Sequence, residues 1–142
     1  MLLAALAGAA IATQAAANGS LKVNLGDARY AAFFSICGTM LTALFAICVF
    51  RPPFPSVALM RATPWWNWIG GPLGASIVLS GAFLTPRLGS AVFITAVVTG
   101  QVICSLGLDH FGVLGIPQHS ITLGRAMGAG MIITGMLFVK YL

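Results

Sequence analysis

Glutamate is absent from this chain and aspartate occurs only twice, at Asp27 and Asp109, so nine charged side chains in all serve 142 residues. Charged residues make up 6%, against about 25% in an ordinary globular domain. A water-facing surface cannot be built from that inventory. Basic residues are equally thin on the ground: Lys22, Arg29, Arg51, Arg61, Arg87, Arg125 and Lys140 stand singly along the chain. The net charge of +5 therefore forms no patch, and phosphate-backbone binding to nucleic acid has nothing to rest on. Three cysteines, Cys37, Cys48 and Cys104, lie inside apolar runs without CxxC or His-paired spacing, which excludes a disulfide framework or a zinc site and reads as small core residues. Walker loop, HExxH and nucleophile elbow are all missing. The sequence thus points away from an enzyme, and no cofactor or metal is expected.

What is present is apolar: 59% of residues are hydrophobic before the 17 glycines are counted. The solvent for most of this protein is lipid. A bilayer core of about 30 Å takes about 20 helical residues, and that ruler fits five times. The expected spans are 1–17, ending at the turn pair Asn18-Gly19; 28–50, stopped by Arg51-Pro52-Pro53-Phe54-Pro55; 67–84, entered through Trp65-Trp66-Asn67-Trp68 and broken by the run Thr85-Pro86-Arg87-Leu88-Gly89; 90–108; and 123–142. The fold class is an all-α membrane protein, one five-helix domain over residues 1–142. The first stretch, with Ala15-Ala16-Ala17 behind it, imitates a signal peptide, but no basic residue precedes it, so it is read as a retained span.

Five spans put the two termini on opposite sides. Arg51, Arg61 and Arg125 then fall on the side of the N-terminus, and Lys22, Arg29, Arg87 and Lys140 on the other. So even a split gives almost no orientation bias. The chain is oriented by a partner, or it inserts both ways and pairs with an inverted copy, and inverted repeats are how many transporters build a central site. Small residues stand at contact spacing in Gly70/Gly74, Gly124/Gly128 and Gly8/Ala12, serving a dimer or packing within one subunit.

A polar side chain in hydrocarbon costs several kcal/mol unless paired, so each is a candidate for a site or for interhelical glue. Gln101 lies mid-span on one stripe with Ile94, Val97, Val98, Ser105 and Leu108. Gln14 and Asn18 stand four apart on the first helix, with Asn18 read first as the helix-ending turn residue. Trp65, Trp66 and Trp68 read as an interfacial belt, with Trp68 a candidate for stacking a solute. Asp27 suits the N-cap of the second span. Asp109-His110 closes the fourth span, either carrying a proton or anchoring the helix end to Arg125, Arg61 or Arg51. No carboxylate lies mid-span, so a cation pump driven by a buried acid is not supported.

Four motifs in order, Pro64-Trp65-Trp66-Asn67-Trp68-Ile69-Gly70-Gly71-Pro72-Leu73-Gly74, Pro86-Arg87-Leu88-Gly89, Gly100-Gln101 and Asp109-His110-Phe111-Gly112, resemble the YdcZ-like family of the drug/metabolite transporter superfamily. The first helix, with Gly8, Gln14, Asn18 and Leu21, is similar to the family's N-terminal pattern. The resemblance implies a five-helix bacterial inner-membrane exporter, occurring as a dual-topology homodimer, as paired homologues of opposite orientation, or as a ten-helix fusion. Carried over by position, Gln14, Asn18, Trp68, Gln101, Asp109 and His110 are the family-motif residues.

The expectation is therefore an antiparallel dimer that moves a small neutral or amphiphilic solute by alternating access. Gln14, Asn18, Trp68, Gln101 and Ser105 are the cavity candidates, Asp109 and His110 the coupling or anchoring pair, and Gly70, Gly74, Pro86, Gly124 and Gly128 the hinge and packing positions. A passive pore and a non-transporting partner subunit of a membrane complex are the rival functions. The expected partners are membrane lipid, a second subunit and a small-molecule substrate.

Overall fold

The computed structural model describes all residues, 1–142, and is helical throughout, with no strand. Its elements are α1 (Leu2–Leu25), α2 (Ala28–Phe50), a short α3 (Val57–Ala62), α4 (Gly70–Leu88), α5 (Ser90–Phe111) and α6 (Leu123–Tyr141). Single turns of 3-10 helix at Trp65–Ile69 and Val113–Gly115 lead into α4 and out of α5. Five segments are long and apolar enough to cross a membrane: α1, α2, Trp65–Leu88, α5 and α6. At 1.5 Å per residue each reaches roughly 28 to 36 Å, the thickness of a bilayer core.

The chain divides into two compact units, residues 1–87 and 88–142. In the first, α1 and α2 form an antiparallel hairpin whose turn is Gly26 (φ 76°), followed by Asp27 as N-cap of α2. The contact among its helices is made of small residues at helical spacing. α1 buries Ala15, Asn18 and Gly19; α2 buries Ala28, Ala31 and Ala32; α4 buries Gly81, Ala82 and Thr85. The α1 and α2 trios follow an i, i+3, i+4 pattern and the α4 residues an i, i+1, i+4 one, so narrow stripes of small residues face one another and the α1 and α2 backbones approach closely. Large side chains such as Phe33, Phe45 and Leu41 stay outside, as lipid-facing residues do. In the second unit α5 packs against α6.

Several boundaries differ from the sequence expectation. Asn18-Gly19 is not the end of the first helix, which runs on to Leu25. The pair is buried at the contact instead, where a Cβ on Gly19 would lie 3.3 Å from the Pro86 ring and from Thr85 Cβ. Nor does Pro86 end α4: the ring costs one intrahelical bond, the helix continues to Leu88, and the break comes at Gly89, whose φ of 83° suits glycine. α5 extends past residue 108 to Phe111, so Asp109 and His110 sit in its last turn. The α2 stop falls at Phe50 as expected, with Arg51 in the left-handed region and its N–H donating to the Ile47 carbonyl at 2.9 Å. The cysteines are not core residues: Cys37 is half-buried while Cys48 and Cys104 are exposed, because the apolar runs that hold them face lipid rather than protein.

Candidate functional site

Hydroxyls are the commonest polar groups in the spans, and the helices neutralise most of them locally. Thr13 donates to the Ala9 carbonyl, Thr42 to Gly38, Ser80 to Ser76, Thr99 to Thr95 and Thr134 to Gly130, all at 2.8 to 2.9 Å. Ser105, a cavity candidate, does the same with Val102 at 3.0 Å. Such bonds keep a hydroxyl satisfied without any neighbour.

The amides behave differently. Gln14 reaches from α1 towards α2, its Nε2 3.5 Å from Ser35 Oγ, a long and weak bond across the hairpin. Asn18 is buried to 6% exposure one turn further on. Gln101 is exposed in the middle of α5, about 15 Å from either end, and its side chain makes no hydrogen bond within the subunit. Trp68 is 59% exposed in the 3-10 turn before α4, where Trp65 and Trp66 meet edge to face. Gln14, Asn18 and Trp68 belong to the first unit, Gln101 and Ser105 to the second.

Asp109 and His110 organise the connector after α5. Gly112 (φ 60°) ends the helix and the chain folds back on it. The His119 amide donates to the Asp109 carbonyl at 2.7 Å, Gln118 Nε2 to the His110 carbonyl at 2.8 Å, and the Ile121 amide to His110 Nδ1 at 3.3 Å. Arg125, in the first turn of α6, lies 3.5 Å from the Asp109 carboxylate and donates to the His119 carbonyl at 3.3 Å. The pair closes the end of the α5–α6 hairpin. Sequence reasoning passed over Gln118 and His119, whose only signal was polarity next to Pro117.

The glycines at Gly70, Gly74, Gly124 and Gly128 mediate no close approach inside the subunit, since a Cβ at any of them meets nothing within 4 Å. Their helix faces are open.

An open cavity of about 590 Å³ lies in the first unit, and none of the expected cavity residues lines it. Its walls bring together the C-terminal turn of α1 (Lys22), the Gly26 turn, the N-terminus of α2 (Asp27, Ala28, Arg29) and the last two turns of α4 (Ser80, Phe83, Leu84, Arg87) with Leu79. Asp27 accepts the Arg29 amide at 2.7 Å and the Arg29 guanidinium at 2.6 to 3.1 Å. That guanidinium bond, helped by the amide, holds the Asp27 carboxyl down from its usual 3.8 to about 2. Arg87 stacks on the Phe83 ring with its guanidinium carbon 3.9 Å from the centroid, and Lys22 Nζ stands 5.8 Å from the same ring. Neither cation has a carboxylate partner, because the two ion pairs of the chain are Asp27–Arg29 and Asp109–Arg125. The sequence signal was present in the charge count, which put Lys22, Arg29 and Arg87 on one side of the membrane.

No curated protein and no solved structure matches this chain. The five long apolar helices are those of a multi-pass membrane protein. Residues 1–138 match the family described as "Putative inner membrane exporter, YdcZ", and the chain belongs to that exporter family of the inner membrane.

Proposed function

We propose that the chain is one half of an antiparallel dimer that exports a small neutral or amphiphilic solute by alternating access. The observation that carries this reading is Gln101. A primary amide exposed at the centre of a membrane-spanning helix, without a partner in its own subunit, costs several kcal/mol against lipid. A second subunit or a solute-bearing cavity removes that cost. The open glycine faces at Gly124 and Gly128 on α6 supply a surface on which helices can approach, and the even spread of basic residues leaves the two orientations nearly equal. An inverted pair brings two copies of Gln101 to the same depth, and a site there can be exposed alternately to either side.

Two measurements test the reading. In a version with Cys37, Cys48 and Cys104 replaced, single cysteines placed at the two ends of α6 should crosslink end to opposite end in membranes; pairs joining like ends only refute the inverted dimer. Gln101→Leu should abolish solute flux in proteoliposomes while the protein stays folded and dimeric. Unchanged flux removes Gln101 from the path.

A further inference from the structure

The cavity at the end of α1, α2 and α4 is separate from the mid-membrane amides, and its chemistry is specific. Three cations face one carboxylate, and that carboxylate is already engaged by Arg29. Lys22 and Arg87 are left as two positive charges without a carboxylate partner, both against one aromatic ring. Stacking on Phe83 fixes the Arg87 guanidinium while leaving its N–H groups, which lie in the guanidinium plane, free to donate. The helix ends contribute little net charge, since the N-terminus of α2 is capped by Asp27 and the C-terminal turns of α1 and α4 face the same space, so Lys22 and Arg87 themselves supply the positive field. Leu79, Leu84 and Phe83 make the rest of the wall apolar. The depth fits too: Lys22 and Arg87 are in the last turns of their helices and Arg29 in the first turn of its own, so the cluster lies where hydrocarbon gives way to headgroups.

We propose that this cavity binds the anionic headgroup of an amphiphile, a phosphate or carboxylate held by Lys22 and Arg87 with its alkyl chain along Leu79, Phe83 and Leu84. A neutral headgroup leaves the two charges uncompensated, and an anion without a tail forgoes the apolar wall. The site takes the same chemistry whether the amphiphile is a bilayer phospholipid or a soluble monoalkyl phosphate. It is independent of the dimer and of flux, since the test reads binding alone.

The full chain, reconstituted in phosphatidylcholine nanodiscs, is melted with two sets of probes: phosphatidylglycerol replacing part of the phosphatidylcholine, and octyl phosphate set against inorganic phosphate. An anionic amphiphile should raise the midpoint by several degrees, and rising salt should erode the shift. A response to phosphatidylglycerol alone identifies a lipid headgroup as the occupant; a response to octyl phosphate identifies a soluble amphiphile. Arg87→Gln should weaken binding by about tenfold and Lys22→Gln/Arg87→Gln should remove the shift. Arg87→Lys, which keeps the charge, should retain part of it and shows that the loss is not misfolding. Arg61→Gln, on α3 away from the cavity, should behave as the parent. The proposal is overturned if neither anionic amphiphile shifts the midpoint, if inorganic phosphate matches octyl phosphate, or if the double variant keeps the full shift.

Discussion

Gly19 is the position at which the first unit has no slack, and enlarging it tests the packing argument directly. A methyl added there stands 3.3 Å from Pro86 Cδ, Pro86 Cγ and Thr85 Cβ. None of those atoms can swing away, because two belong to a closed ring and the third is a branch point beside it. Relief requires α1 and α4 to part by a few tenths of an ångström. Overpacking of this kind costs about 1 to 3 kcal/mol, while replacing a helical glycine by alanine returns up to about 1 kcal/mol of backbone entropy. Gly19→Ala should therefore be destabilised by about 1 kcal/mol, and Gly19→Leu, which opens the contact and strips cover from Asn18 and Ala82, by more than about 3 kcal/mol. Gly8→Ala on the same helix meets nothing within 4 Å and should gain up to about 1 kcal/mol. Denaturant unfolding of the three variants in mild detergent, followed by circular dichroism, gives the comparison. Equal shifts for Gly8→Ala and Gly19→Ala, or a wild-type midpoint for Gly19→Leu, would refute the small-residue contact as the core of this unit.

Asp27 has its folded pKa depressed from 3.8 to about 2, so its contribution is fully present above 3.8 and is lost as pH falls through about 2. The unfolding midpoint of the parent should drop over that window by more than that of Asp27→Asn; parallel curves would remove the Arg29 interaction from stability. Asp109→Asn should cost only about 0.5 kcal/mol, as its bond to Arg125 is long and both side chains are more than a third exposed, and a loss several times larger in the same unfolding assay would contradict this reading. Thr85 Oγ1 is buried without a hydrogen-bond partner, so Thr85→Val should be neutral or stabilising by up to about 1 kcal/mol; a loss of that size would mean the hydroxyl is bonded.

The five spans were legible because hydropathy over 20 residues is an average that no single side chain can hide. Two of their ends were not, and for one reason. Asn18-Gly19 and Thr85-Pro86 carry the local chemistry of turns, yet within lipid a backbone that leaves the helix must find other partners, so the helices run through both pairs. The same residues are then used at the α1–α4 contact, Gly19 for its missing side chain and Pro86 for its flat ring. Gly26 and Gly89, with φ of 76° and 83°, are the real punctuation. The cation cluster was half legible: charge counting placed Lys22, Arg29 and Arg87 on one side, but only the fold sets residues 22 and 87 against one ring. The mid-span position of Gln101 was legible, since it is the one amide side chain in that helix.

The hydroxyls that bond to their own helices have a consequence for what these helices can say to a solute. Once Thr42, Ser80, Thr99 and Thr134 have given their protons to carbonyls one turn back, they present lone pairs and nothing else. The proton donors left in the spans are then few: the amides of Gln14, Asn18 and Gln101, and hydroxyls without such a bond, Ser35 and Thr85 among them. A molecule that brings its own N–H or O–H groups is met by acceptors spread along the spans, whereas one that brings only carbonyls or ether oxygens finds few addresses.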